Sequence, residues 1–141
     1  FKEKEDLDKL YEKLKEKNFT GKILIISEPW CGDASATVPA VSKFFEAAGN
    51  EVRIFLRDSD PTLIDQYLTN GTRSIPKVLI LDEELNVKNN WGPRPEYGNG
   101  LLKKFKENED TYPREEFYND LQVYYAKNRG KDAIEEIINL I

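Results

Sequence analysis

Apolar residues recur along the chain at two kinds of spacing, and these spacings predict its first elements. Leu7, Leu10 and Leu14 follow one another at steps of three and four residues among charged side chains, which is typical of an amphipathic helix. The segment 22–27 is short, rich in β-branched residues and almost wholly apolar, as in a strand that is buried on both faces of a sheet. We therefore predict an N-terminal helix that leads into a central strand.

The pattern then alternates between helix and strand up to about residue 91. A helical stripe follows residue 34, and a strand with alternating apolar residues is predicted at 52–56. Asp60-Pro61 supplies a capping side chain and a proline suited to the first turn of a further helix. Strands are expected at 77–81 and, after an acidic turn, in a segment that ends near residue 91, so that the two form a hairpin. The buried stripe predicted for the helix after Pro61 consists of Leu63, Ile64, Tyr67 and Leu68.

The remainder of the chain is predicted to be a loop followed by helices. Segment 91–100 is rich in glycine and proline, which indicates a loop against the sheet edge or the active face. Apolar spacing then predicts helices around 101–105, after Pro113 and after Gly130. With crossovers long enough for parallel pairing in the first half, this order of elements predicts an α/β fold with a mixed sheet.

Composition narrows the range of functions. A chain of 141 residues that is 39% hydrophobic has the size and apolar content of one compact domain. The net charge of −5 comes from 26 acidic and 21 basic residues that are spread along the sequence, so we do not expect a nucleic-acid partner. No apolar run approaches the roughly 18 residues of a membrane span, so we expect a soluble protein with no membrane partner.

The cysteine and histidine content restricts the chemistry further. A single cysteine cannot form an internal disulfide, and the chain has no histidine. These two facts exclude the usual zinc sites and the serine–histidine and cysteine–histidine pairs, so we expect neither a metal nor another cofactor. The chain begins at Phe1 rather than at methionine, which we interpret as trimming that could have removed a signal peptide. Our working assignment is the cytoplasm, and the sequence leaves the oligomeric state open.

The candidate chemistry lies where the first strand gives way to a helix, in the segment Trp30-Cys31-Gly32-Asp33-Ala34. A thiol at the first turn of a helix feels the positive end of the helix dipole and several unpaired backbone N–H groups, which favour the thiolate form. The alternative is a small buried hydrophobic residue without chemistry. We favour a reactive thiol, because Cys31 is the only cysteine and lies at this turn.

This segment resembles the Trp-Cys-Gly-Pro-Cys active-site turn of thioredoxins. Pro39 stands where thioredoxins carry the proline that kinks the active-site helix, and the segment that ends in Ile75-Pro76 resembles the family's Gly-x-Arg-x-Ile-Pro segment. Gly92 resembles the glycine beside the same groove. The Trp-Cys-Gly-Asp pattern is also similar to a less characterised bacterial branch of the superfamily.

The resemblance implies a thioredoxin fold with a mixed sheet of about four strands. It implies a single domain over residues 1–141, with an N-terminal helix, a core at about 20–92 and a C-terminal helical extension at about 93–141. It also implies a cis peptide bond before Pro76, which would face Cys31, and a groove in which the Ile75 backbone pairs with an extended substrate strand.

Three departures from the family pattern limit what can be carried over. Ala34 stands where dithiol oxidoreductases have the cysteine that resolves a mixed disulfide, so the usual cycle is not available. Ile25 stands in place of a buried aspartate that many thioredoxins carry. Asp33 replaces the proline of the motif, and its charge would either oppose the thiolate or serve as a local proton acceptor.

The predicted site combines a catalytic pair with a surrounding loop and groove. The catalytic pair is Cys31 and Asp33, although a role at the helix start is favoured for Asp33. The loop and groove are formed by Trp30, Gly32, Ala34, Ile75, Pro76 and Gly92. We expect Trp30 to be packed rather than to cover the thiol, and Arg73 and Lys77 to lie on the solvated surface as readily as near the thiol.

Two functions of different classes follow. The first is a thioredoxin-like thiol redox protein, a monothiol disulfide oxidoreductase, in which Cys31 forms mixed disulfides with a protein or a low-molecular-weight thiol. The second is a non-catalytic binding module that holds a partner strand in the groove next to Pro76. The missing resolving cysteine motivates the second reading.

Overall fold

The structure is a computed structural model that describes residues 2–141. Four strands and six α-helices alternate along these residues. The strands are β1 (Lys22–Ser27), β2 (Val52–Leu56), β3 (Lys77–Leu81) and β4 (Val87–Trp91). The helices are α1 (Lys2–Glu16), α2 (Gly32–Ala47), α3 (Pro61–Ile64), α4 (Glu96–Glu107), α5 (Arg114–Asn128) and α6 (Lys131–Asn139).

The four strands form one mixed sheet in the order β2-β1-β3-β4. β1 pairs with β2 in parallel and with β3 antiparallel, and β3 and β4 form the predicted antiparallel hairpin. The bounds predicted for β1, β2 and β3 agree with the structure. All five residues of β3 are buried, as expected for an interior strand that is covered on both faces.

Helices cover both faces of the sheet. On one face, α1, α2 and α6 bury their apolar stripes against Ile23 and Ile25 of β1 and against Val78 and Ile80 of β3. The other face carries a smaller apolar cluster beneath α3, formed by Ile26, Ile64, Ile75, Leu79 and Leu81. The half-buried Cys31 packs against this smaller cluster. The mixed α/β thioredoxin fold with additional helices at both ends is therefore confirmed.

The helix after Asp60 is shorter than predicted. Asp60 caps it as expected, because its Oδ1 accepts a hydrogen bond from the Thr62 backbone at 3.1 Å. The Thr62 hydroxyl also donates to Oδ1 at 2.6 Å, and this bond, together with the backbone bond, lowers the pKa of Asp60. Regular α3 ends at Ile64, and the amides of Gln66 and Tyr67 bond back three residues, as in a tightened last turn. Leu68 is consequently exposed, so its assignment to the buried stripe was wrong.

The predicted loop at 91–100 is also partly helical. α4 begins at Glu96, so the second half of this segment belongs to a helix. Pro95 occupies the capping position with a φ of −59°. Gly98 is tolerated within the helix because it lies against Leu121 of α5, where an added Cβ would be 3.4 Å from the leucine side chain. The glycine content of this segment predicted a loop, but the local sequence pattern does not show that two helices approach each other closely here.

Helices α4 and α5 contribute to a separate apolar cluster. The cluster is built from buried residues of the α4–α5 region, and Ala36 of α2 packs against it. Its buried members are Tyr112, Phe117, Leu121 and Tyr125. Among the helices of residues 2–141, none is long and apolar enough to cross a membrane.

Candidate functional site

Cys31 occupies the position immediately before α2. Its backbone is extended, with φ −79° and ψ 125°, and its carbonyl accepts the first hydrogen bond of the helix from Ser35 N at 3.0 Å. The half-buried thiol donates to the carbonyl oxygen of Ile75 at a Sγ···O distance of 3.5 Å. The sulfur therefore lies at the positive end of a 16-residue helix and beside the segment before Pro76.

The segment that faces the thiol is held by close backbone contact. The Ile75–Pro76 and Gly92–Pro93 peptide bonds are both cis, and Ile75 and Pro76 are buried. Gly92 has a φ of +126°, and a Cβ added to it would lie 2.2 Å from the carbonyl oxygen of Pro76. Only glycine fits this position without displacing the Pro76 backbone.

Lys77 holds the same two segments together from inside the protein. It is 4% exposed, and its Nζ donates to Thr69 Oγ1 at 2.8 Å and to the Gly92 carbonyl at 3.0 Å. Burial lowers the pKa of Lys77. Of the two environments left open for Lys77, the solvated surface is therefore wrong, because the bonds to Gly92 and Thr69 turn the ammonium inward. Arg73 does lie at the surface, where its Nε pairs with Asp65 at 2.7 Å.

Trp30 is placed differently from the prediction. Its side chain is 65% exposed, and the guanidinium carbon of Arg57 lies 5.0 Å from the ring centroid. The expectation that Trp30 packs into the protein was therefore wrong. The neighbour of the exposed Trp30 ring is the guanidinium of the half-buried Arg57 rather than a core cluster.

The neighbours of Cys31 in the turn occupy contrasting environments. Ala34, at the position of a resolving cysteine, is buried. A Cβ added to Gly32 would meet no atom within 4 Å, so that position is open. The Cys31 amide donates to the Glu28 carbonyl at 3.3 Å, and Glu28 is itself buried, its Oε2 accepting from Asp58 N at 2.9 Å. These bonds fix the turn before the helix.

Asp33 joins this turn to the C-terminal helices. Its Oδ1 accepts a hydrogen bond from the Tyr125 hydroxyl at 2.5 Å, and its Oδ2 lies 3.3 Å from Nε of Arg94. Sequence reasoning did not connect either partner with Asp33. The only local signal was the position of Arg94 in the loop expected against the active face, since a tyrosine 92 residues away cannot be paired by spacing. Asp33 is thus a bonded carboxylate at the start of the helix.

The described residues contain no obvious metal site. Within residues 2–141, no group of three or more histidine, cysteine, aspartate or glutamate side chains could hold a metal ion. Of the predicted loop and groove residues, Ile75, Pro76 and Gly92 lie together beside Cys31, whereas Trp30 points outward. This arrangement can present a sulfur nucleophile next to a backbone groove.

A comparison with protein families shows to which family the chain belongs. A family model described as thioredoxin matches residues 2–107. The chain belongs to the thioredoxin family. The match extends on both sides beyond residues 20–92, to which the resemblance of motifs was traced, and it includes α1 and α4. It leaves α5 and α6 of this thioredoxin-family chain outside the matched region.

Solved structures agree with the fold. The chain is similar to a protein of unknown function from Pseudomonas aeruginosa with a TM-score of 0.68 and 23% identity, over 94% of this chain and 72% of that one. It is also similar to an HIV epitope-scaffold, with a TM-score of 0.67 and 23% identity, over 93% of this chain and 71% of that one. A search of curated proteins gives no match. At these identities the structural neighbours support the fold alone.

Proposed function

We propose that this thioredoxin-family protein is a monothiol redox protein in which Cys31 forms mixed disulfides. The observation that carries the proposal is the position of its sulfur, half-buried at the start of α2 and 3.5 Å from the Ile75 carbonyl. A helix N-terminus favours the thiolate, which is the nucleophile in disulfide exchange. The adjacent backbone at Ile75 offers a strand of substrate a surface on which to align.

The exchange is balanced without any further cofactor. The Cys31 thiolate attacks one sulfur of a substrate disulfide, a new bond forms between the two sulfurs, and the other substrate sulfur leaves as a thiolate. An external thiolate then attacks the mixed disulfide, which releases Cys31 as thiolate and leaves the substrate sulfur joined to the external thiol. One disulfide is consumed and one is formed, so no net electron donor is required for this exchange.

An external thiol is needed because the side chain at position 34 cannot resolve the mixed disulfide. Ala34 is buried and carries no sulfur, and Cys31 is the only cysteine of the chain. A protein thiol or a low-molecular-weight thiol must therefore complete the reaction, and such thiols are abundant in the reducing cytoplasm. We assign the chain to a bacterial branch with the Trp-Cys-Gly-Asp motif, as a single domain in which the C-terminal helices extend the thioredoxin core.

The test uses glutathione disulfide as the oxidant. The intact protein is incubated with it at pH 7, alkylated and weighed by mass spectrometry, alongside the Cys31→Ser variant. We expect one glutathione adduct on the wild type, its removal by reduced glutathione, and no adduct on the variant. An adduct that forms no faster than on a free peptide cysteine would contradict the proposal.

The buried Ala34 favours one alternative function. Without a resolving thiol, the groove at Ile75–Pro76 could bind a partner strand with no exchange. Affinity capture with wild type and Cys31→Ser separates the two functions. Partners retained equally by both proteins after reduction support the binding module, whereas partners released by reductant and lost in the variant support the redox function.

A further inference from the structure

Tyr125 joins the C-terminal helices to the first turn of α2, where Arg94 also lies. The hydroxyl of Tyr125, on α5, donates to Asp33 Oδ1 at 2.5 Å, and Nε of Arg94, in the loop after β4, lies 3.3 Å from Asp33 Oδ2. Asp33 is two residues beyond Cys31 in the same turn. Both oxygens of this carboxylate are therefore engaged by residues outside the motif.

The contact is largely withdrawn from solvent. The side chains of Asp33 and Arg94 are 18% and 21% exposed, and Tyr125 is buried. Within residues 2–141, Arg94 Nε is buried without a hydrogen-bond partner of good geometry, so the nearby carboxylate is the group that balances its charge. Opposite charges at this separation interact much more strongly away from water than on an exposed surface.

We propose that Arg94 and Tyr125 are positioning residues that hold and neutralise the Asp33 carboxylate beside Cys31, so that the positive end of α2 acts on the thiol unopposed. This inference rests on the proposed redox function. A free carboxylate in the first turn would counteract the helix dipole and disfavour the thiolate. The guanidinium supplies the compensating charge, and the hydroxyl fixes the carboxylate by its second oxygen.

Tyr125 remains a hydrogen-bond donor over the pH range in which a thiol ionises. Burial, together with the hydrogen bond to Asp33, raises the pKa of Tyr125 far above its ordinary value. The charged and titratable groups that face the Asp33 carboxylate are Arg94, from the loop after β4, and Tyr125, from α5. The polar neighbour of the thiol itself is the Ile75 carbonyl, which does not titrate.

The chain provides matched controls for this contact. Tyr124 donates to Asp132 at 2.5 Å and Tyr112 donates to Asp120 at 2.6 Å. Both pairs join tyrosine hydroxyls to carboxylates in the same way, but they lie within the C-terminal region and do not reach α2. Tyr124→Phe therefore removes the same kind of bond from the adjacent position of the same helix.

The test measures the rate at which iodoacetamide alkylates Cys31 in the full chain at pH 7 and at pH 10. At pH 7 we expect Arg94→Gln to slow alkylation by about tenfold and Tyr125→Phe by about threefold, because less thiolate is present. Asp33→Asn should accelerate it, and Tyr125→Phe added to Asp33→Asn should have no further effect. Tyr124→Phe should match the wild type, and the deficits should shrink at pH 10, which lies well above the ordinary pKa of a thiol.

The outcomes distinguish failure of the positioning role of Arg94 and Tyr125 from failure of the proposed redox function. Unchanged rates in Arg94→Gln and Tyr125→Phe, or equal losses in the Asp33→Asn background, would overturn the positioning role. Losses that persist unchanged at pH 10 would also overturn it, because they would indicate altered structure or access rather than altered ionisation. Failure of the wild type to form a glutathione adduct would instead remove the proposed function, while the relative alkylation rates would still test the positioning of Asp33.

Discussion

The first turn of α2 is flanked by two unlike regions. On the side of Pro76, the thiol of Cys31 meets an apolar cluster and a single carbonyl oxygen 3.5 Å away. On the side of the C-terminal helices, the carboxylate of Asp33 meets a guanidinium and a tyrosine hydroxyl. The Pro76 side belongs to the region matched by the thioredoxin family, whereas Tyr125 lies beyond it. The region matched by the family therefore supplies the thiol and the Arg94 guanidinium, whereas the added helix α5 supplies the Tyr125 hydroxyl that binds Asp33.

The largest effect on stability is expected for a substitution that disrupts the Pro76 side of the turn. In Gly92→Ala, the new Cβ would lie 2.2 Å from the Pro76 carbonyl at a φ of +126°, so the loop must move. We expect a loss of about 3 kcal/mol or more in the free energy of unfolding, measured by urea denaturation. Gly32→Ala is the control, since no atom lies within 4 Å of its added Cβ and alanine favours a helix. Equal stability of the two variants would show that Gly92 is not a tight contact.

The next effect tests the attachment of the C-terminal helices. Glu136 Oε1 accepts from Trp91 Nε1 at 2.8 Å, and its Oε2 accepts from Glu96 N at 3.1 Å. Glu136→Ala would leave the indole N–H of a buried tryptophan without this partner, so we expect a loss of about 2 kcal/mol in denaturant unfolding. Glu135→Ala removes only a surface ion pair with Lys13 and should cost less than about 0.5 kcal/mol. A similar loss in both variants would contradict a specific anchoring role for Glu136.

A smaller, pH-dependent effect on stability is expected for Lys77, on the Pro76 side of the turn. Lys77→Met removes two hydrogen bonds from a buried ammonium, and we expect a loss of about 1 kcal/mol at pH 7. Burial lowers the folded-state pKa of Lys77, so between that pKa and the unfolded value of about 10.4 the folded protein binds fewer protons. Wild-type stability therefore rises relative to the variant as pH increases through this window. A gap between wild type and variant that narrows from pH 7 to pH 10 would contradict this sign.

The smallest effect concerns the exposed tip of the turn. Trp30→Ala removes an aromatic ring that is 65% exposed and contacts Arg57, so the free energy of unfolding should change by less than about 0.5 kcal/mol. The alkylation rate of Cys31 should stay within about twofold of the wild type, because both flanking regions remain intact. A larger change in that rate would indicate that Trp30, rather than the two flanking regions, controls access to the thiol.

The sequence predicts those parts of the structure that depend on neighbouring residues. The strand bounds, the capping role of Asp60 and the start of α2 just after Cys31 follow from periodicity and from local backbone preferences. Contacts between distant segments do not follow in this way. Gly98 packs against Leu121 within a helix where a loop was expected, and two bonds to distant segments draw Lys77 inward. The partners of Asp33 could not be predicted for the same reason.

The central claim is that the fold activates the thiol of Cys31, and one comparison tests it directly. The rate of alkylation of Cys31 by iodoacetamide at pH 7 is measured in the native protein and in the same protein unfolded in guanidinium chloride. We expect the native thiol to react at least about tenfold faster, because the helix N-terminus that favours the thiolate exists only in the folded state. A native rate equal to or below that of the unfolded chain would contradict the account.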